Sequence, residues 1–139
     1  MTRYMLDTDM VGHLVKAHPA VIARVRALPM TALCVSAIAE GELRYGLAKR
    51  PDATRLFRLV AEVLRHLDIL PWDSAAAARY GALRATMERL GRSLGPLDLL
   101  IAAHGLSADA VLATNDRAFG MVPDLIVEDW TCPPRHFFS

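Results

Sequence analysis

Short apolar runs, each too brief to be a helix, alternate along this chain with longer segments of helical period. The runs are Tyr4–Leu6, Thr31–Val35, Asp68–Leu70, Ala110–Ala113 and Leu125–Val127. Between them, apolar residues recur every three or four positions, as in Met10, Val11, Leu14 and Val15, or in Leu56, Leu59, Val60, Val63 and Leu64. Runs of that length read as strands, and the intervening spacing places one apolar stripe along each helix. Strand and helix in alternation predict an α/β fold with a short, mostly parallel five-stranded sheet, because parallel neighbours need a crossover between them. Sites in such sheets form at the carboxyl ends of the strands. That rule singles out Asp7, Ser36 and the triplet Thr114–Asn115–Asp116.

Punctuation residues set the expected helix limits. Thr8 or Asp9 is placed to cap the first helix. Pro19 suits the first turn of a second, which Pro29 stops. A third begins after Ser36 with AIAEGELRYGLAKR and is broken by Pro51. A strongly periodic helix is expected over Asp52–His66, and one rich in Ala and Arg from Asp73 or Ser74 to about Leu90. Gly91 and Gly95 form a linker, and Pro96 opens LDLLIAAHGL, a segment apolar on every side and therefore buried. The ending, with two prolines in TCPPRHFFS, reads as an extended tail over residues 129–139. The 139 residues suit a single domain, 1–139. No repeat or low-complexity segment is present.

The chain carries 16 Lys and Arg, 15 Asp and Glu, and a formal net charge of +1, which by itself favours no class of partner. The distribution is less even. Arg44–Arg92 holds ten basic residues against five acids, while Ser93 onward holds two against six. A basic middle beside acidic ends can cradle a phosphate backbone near a cation, or simply be solvated helix surface. Cys34, inside TALCV, reads as a small buried hydrophobe, and no CxxC pair suggests zinc. MTRYMLDTD meets acids too early for a secretory signal, and no run nears the roughly twenty apolar residues of a membrane span. The cytoplasm is the expected location.

Four acids lie at the edges of apolar elements. Asp7 ends the first run, Asp98 opens the buried DLLIAA segment, and Asp116 follows VLA. Glu42 stands one turn into its helix, beside Arg44, with Glu40 competing for the same role. Each has a plain alternative: Asp7 as a helix cap, Glu42 as an Arg partner, Asp98 on the free amides after Pro96, Asp116 in a turn. Jointly they would converge on one rim of a parallel sheet. Clustered carboxylates repel unless a cation neutralises them, and oxygen-only ligands favour Mg²⁺ or Mn²⁺ over zinc. Metal-assisted phosphodiester hydrolysis suits that arrangement.

In order and spacing, LDTD at Asp7, SAIAEGELRYG around Glu42, GPLDLLIAAHGL at Asp98 and LATNDRAF at Asp116 resemble a PIN domain, and the closing IVEDW resembles VapC-type toxins, especially the branch that cuts tRNA. The resemblance covers nearly the whole chain. It implies a three-layer α/β/α sandwich and a Mg²⁺- or Mn²⁺-dependent endoribonuclease. Asp7, Glu42, Asp98 and Asp116 would hold metal and position water, with Glu42 preferred to Glu40 because it matches the acid of ELRYG. Thr8 and Ser36 would support them as hydroxyls, and Asn115 would orient the fourth acid. The resemblance also implies an RNA substrate, a homodimer, and a VapB-type antitoxin that inserts near the site and binds operator DNA. Two departures stand out. Asp9 occupies a position where many relatives have Asn, an added carboxylate that would tighten metal binding or favour Mn²⁺. Asp116 stands where the tRNA-cutting branch often has Asn.

Two other classes compete. DTDMV after an apolar run fits a phosphatase with Asp7 as nucleophile and Asp9 as acid; such a site needs a downstream Lys, and only Lys16 and Lys49 exist. A non-catalytic RNA-binding module is the other. Arg44, Arg84, Arg89 and Arg92 are the candidate phosphate contacts. His104 reads as a packed, hydrogen-bonded side chain rather than a base, and Phe137 and Phe138 as tail packing.

Overall fold

The computed structural model describes residues 1–132. Five strands, β1 (Arg3–Leu6), β2 (Leu33–Ser36), β3 (Asp68–Leu70), β4 (Ala110–Ala113) and β5 (Val127–Glu128), form one sheet in the order β3-β2-β1-β4-β5. Every neighbouring pair is parallel. The helices are α1 (Thr8–Val15), α2 (Pro19–Arg26), α3 (Ala37–Ala48), α4 (Thr54–Arg65), α5 (Ser74–Arg89) and α6 (Pro96–Ser107). Right-handed crossovers put α1–α4 on one face of the sheet and α5–α6 on the other, giving the three layers expected.

The sheet is buried where apolar runs are unbroken. All four residues of β2 and of β4 are buried, as are Met5 and Leu6 of β1. Met10 and Val11 of α1 and Ile101, Ala102 and Ala103 of α6 close on them. The near-continuous apolar character of LLIAAHG is explained by this: α6 is covered on almost every side. Cys34 is fully buried and its thiol is pushed up to about 11 by desolvation, so it packs as a hydrophobe. His104 is buried too, with Nδ1 2.7 Å from the Ser36 hydroxyl. Among the described residues no helix is long and apolar enough to cross a membrane.

Differences from the sequence expectations are local. The last strand is Val127–Glu128 rather than Leu125–Val127, because β4 donates from Leu112 N to Ile126 O and from Thr114 N to Glu128 O. Helix α4 starts at Thr54, two residues later than expected. Of the tail expected to be extended, residues 129–132 turn back: the Thr131 amide and hydroxyl both donate to Asp129 Oδ1. Trp130 is thereby buried against Tyr4, ring centroids 5.7 Å apart, and its indole N–H donates to Glu128. Arg24 pairs with the same Glu128 and covers both rings. The rest of the tail, including Phe137 and Phe138, lies outside the described residues.

The strand order has one consequence for function. The chain moves outward from β1 through β2 to β3, then returns to the other side of β1 for β4 and β5. The reversal falls between β1 and β4, and a crevice opens at their carboxyl ends.

Candidate active site

Asp7 and the Thr114–Asp116 triplet leave the carboxyl ends of adjacent strands, so the crevice receives both. Leu6 is in register with Ala113, and the Asp7 amide donates to the Ala113 carbonyl at 3.1 Å. Asp7 is only 4% exposed. Its Oδ1 accepts from the Met10 amide at 2.8 Å, which makes Asp7 the cap of α1 in place of the expected Thr8 or Asp9. Its Oδ2 accepts from the buried Thr114 hydroxyl. Thr114 also accepts from the Asp116 amide at 3.0 Å, so one threonine fixes both acids. Burial pushes the Asp7 carboxyl up to about 6; the hydrogen bonds from Thr114 and Met10 oppose that, and repulsion from Asp9 and Asp98 adds to it.

Asp98 occupies the first turn of α6 and is half-buried. Gly95 caps the helix without any side-chain bond, so Asp98 is not spent on the free amides there. Its carboxyl is raised, first by burial and then by repulsion from Asp116, Glu42 and Asp9. Glu42 approaches from α3, where its Oε1 accepts the Thr8 hydroxyl at 2.7 Å. Glu40, its rival, pairs instead with Arg44 at 2.8 Å on the outside of the helix. Asp116 is exposed, and its Oδ1 accepts from the Ala118 amide at the start of a 3-10 turn over Arg117–Met121. Asp9 is exposed beside them.

Asp7, Glu42, Asp98 and Asp116 are thus brought to one rim, and among the described residues none of them joins an ion pair. Among the described residues, no three His, Cys, Asp or Glu side chains stand close enough together to hold a metal ion as they are placed. Uncompensated carboxylates sharing a crevice, two of them raised first by burial and then further by repulsion from their neighbours, fit a hard divalent cation in donor chemistry and in charge. The phosphatase alternative fits less well, since the two lysines it could draw on, Lys16 and Lys49, stand at the C-termini of α1 and α3 rather than after a strand.

The supporting residues divide. Thr8 touches Glu42 directly. Ser36 bonds none of the four acids; its hydroxyl oxygen accepts from the Ile38 amide and it pairs with His104, whose basicity burial lowers. Asn115 is exposed at the rim, and the bond that orients Asp116 comes from Thr114 instead. The strand-end rule singles out Thr114 with its triplet but assigns it no role, because a threonine in a strand-end turn has no signature of its own. The candidate arginines are spread elsewhere: Arg44 on Glu40, Arg84 on Glu88 and Tyr80, Arg89 on Thr86, and Arg92 on the Met121 carbonyl. A groove of about 610 Å³ opens from Thr8, Asp9, Glu42 and Asn115 and runs between α1, α3 and α4.

Similarity to known proteins bears on this geometry. The PIN domain family model matches residues 4–125. The chain is 34% identical to a tRNA(fMet)-specific endonuclease VapC of Shigella flexneri over 132 residues, covering 94% of this chain and all of that one. It is 34% identical to Ribonuclease VapC2 of Haemophilus influenzae over 131 residues, 94% of this chain and 99% of that one. Among solved structures, DNA-bound VapBC from Salmonella typhimurium superposes with a TM-score of 0.86 at 34% identity, covering 94% and 99% of the two chains.

Proposed function

This chain belongs to the PIN-domain family, in its VapC branch, and from that premise we propose that Asp7, Glu42, Asp98 and Asp116 are the acids with which it hydrolyses RNA. It is a ribonuclease of the VapC kind, the toxin of a toxin–antitoxin pair. PIN-domain ribonucleases depend on metal, and the cation we propose here is Mg²⁺ or Mn²⁺, matched to an all-carboxylate donor set.

The observation that carries the reading is Asp7: a carboxylate 4% exposed, raised to about 6, with no cationic partner among the described residues. A fold holds such a group when a bound cation completes it. When bound, the metal supplies charge neutralisation at the phosphate and a more acidic water. Asp7 is held rigid by Met10 and Thr114, and so serves as the fixed point of the site. Glu42, steadied by Thr8, and Asp98, free of any capping duty, orient the attacking water from the two helices facing it. Asp116 faces the same space from the end of β4, the strand next to β1, and is the most exposed of the four acids.

The proposed substrate is tRNA, the class named for the Shigella and Salmonella relatives. The proposed partner is a VapB-type antitoxin, since the similar Salmonella and Rickettsia structures are VapBC complexes on DNA; operator DNA would be reached through that antitoxin. A homodimer is the proposed assembly, read by sedimentation. Cleavage of total RNA by purified protein tests the whole reading, with Mg²⁺, with Mn²⁺, with EDTA, and with Asp7→Asn and Asp98→Asn. Discrete fragments that vanish with EDTA and in both variants are expected. Variants that cut as well as wild type would remove these acids from the mechanism.

A further inference from the structure

We propose that the groove leading away from the carboxylates seats the RNA strand beside the scissile phosphate, and that Lys16, Lys49 and Arg50 hold its phosphates. The proposal deepens the ribonuclease reading and rests on it. The groove is charged in opposite senses at its two ends. Glu42 and Asp9 stand at one end; at the other are Lys16, which caps the C-terminus of α1, Lys49, which caps that of α3, and Arg50 beside it. Among the described residues none of these three cations pairs with a carboxylate, whereas Arg3, Arg24, Arg44, Arg65 and Arg84 all do. The groove lining includes none of Arg44, Arg84, Arg89 and Arg92.

A cation at a helix C-terminus also answers the helix dipole, but that role needs one charge at each helix end, not three on one groove. The spacing suits a strand. At a rise of about 1.5 Å per residue, Lys49 lies roughly 10 Å along α3 from Glu42, and Lys16 roughly 12 Å along α1 from Thr8. A stacked strand advancing about 3.4 Å per nucleotide covers that in about three nucleotides. Between the two ends the groove is lined by Gly12 and Gly46 and floored by the apolar side chains of Val15, Leu43, Leu47, Leu56 and Val60, against which unpaired bases can rest. A Cβ at either glycine would meet nothing within 4 Å, so no packing in the fold excludes a side chain there. Interior helical glycines weaken a helix, and at these two positions the return is an open channel. The charge pattern favours a polyanion whose reacting phosphate sits at the carboxylates and whose neighbouring phosphates run onto the cations.

The test uses the full chain carrying Asp98→Asn, which binds without cutting, and a short fluorescein-labelled RNA of mixed sequence followed by anisotropy. Lys16→Gln, Lys49→Gln and Arg50→Gln together should weaken binding about tenfold or more. They should also flatten the slope of log affinity against log salt by about 2, at roughly 0.7 per single-strand phosphate contact. A charge-matched control, Arg26→Gln with Arg58→Gln and Arg79→Gln, removes exposed cations that do not line the groove and should leave the slope in place. In the active chain the triple groove variant should raise KM about tenfold and leave kcat unchanged. Equal weakening by the control would overturn the proposal, since net charge alone would then explain binding. So would unchanged RNA affinity with lost capture of the antitoxin, which would make the groove a protein-docking site. Failure of the parent chain to bind or cut any RNA would instead overturn the ribonuclease reading beneath it.

Discussion

The hydroxyl of Thr114 donates to Asp7 Oδ2 at 2.5 Å, and Thr114 Oγ1 itself accepts from the Asp116 amide at 3.0 Å. Two acids that sequence separates by more than a hundred residues are tied through one buried side chain 1% exposed. Thr114→Val keeps the shape and removes both bonds, leaving a buried carboxylate oxygen and an amide unsatisfied. We expect a loss of about 1–3 kcal/mol in urea unfolding and a fall in single-turnover cleavage larger than any change in RNA affinity. Thr114→Ser should restore both. Normal cleavage by the valine variant would show that Asp7 needs no such anchor.

Asp7 also sets a pH dependence for the metal-free protein. Its carboxyl lies at about 6 when folded, against 3.8 for the free group. The folded state therefore holds the proton more tightly. Stability contributed by this group is full below pH 4, is lost as pH rises to about 6, and the loss totals about 3 kcal/mol. Asp7→Asn has no proton to lose. In EDTA the urea midpoint of the variant should exceed that of wild type at pH 7.5 and match it near pH 4; a constant difference across that range would contradict the assignment.

Divalent cation should reverse the repulsion among the acids. With Mg²⁺ or Mn²⁺ at a hundredfold excess over its dissociation constant, linkage gives about 2.7 kcal/mol, a rise in Tm of roughly 10 °C. Asp98→Asn should lose most of that rise while unfolding with the same cooperativity. Calorimetry with and without metal reads this independently of any RNA substrate.

Glu40 and Glu42, two residues apart on α3, make opposite predictions. Glu42→Gln should reduce cleavage by on the order of 10²- to 10³-fold, the scale of removing one charge-stabilising group. Glu40→Gln removes only an exposed pair with Arg44 and should change stability by less than about 0.5 kcal/mol, with cleavage intact. Comparable losses in both would mean that α3 presents the wrong acid to the crevice in this structure.

Sequence alone determined the layers of this protein. Unbroken apolar runs such as LCV and AVLA could only be strands buried on both faces, and Pro19, Pro51 and Pro96 set where helices begin or stop. Those are local properties, since side-chain period and proline geometry act within a few residues. The candidate acids were legible for a related reason: each sits at the edge of an apolar element, and their order along the chain resembles one family. What the tertiary structure decided is which groups meet. The reversal of strand order beside β1 brings Asp7 against Thr114, a contact that no window of sequence contains. Arg44 could have paired with Glu40 or Glu42, and the Thr8 hydroxyl on a neighbouring helix takes the second, leaving the first. Lys16 and Lys49, which sequence offered only as the two lysines of the chain, line one groove because α1 and α3 lie side by side. Each of these outcomes depends on atoms made neighbours by packing, where burial and Coulomb forces fall off within a few ångströms and separation along the chain carries no weight.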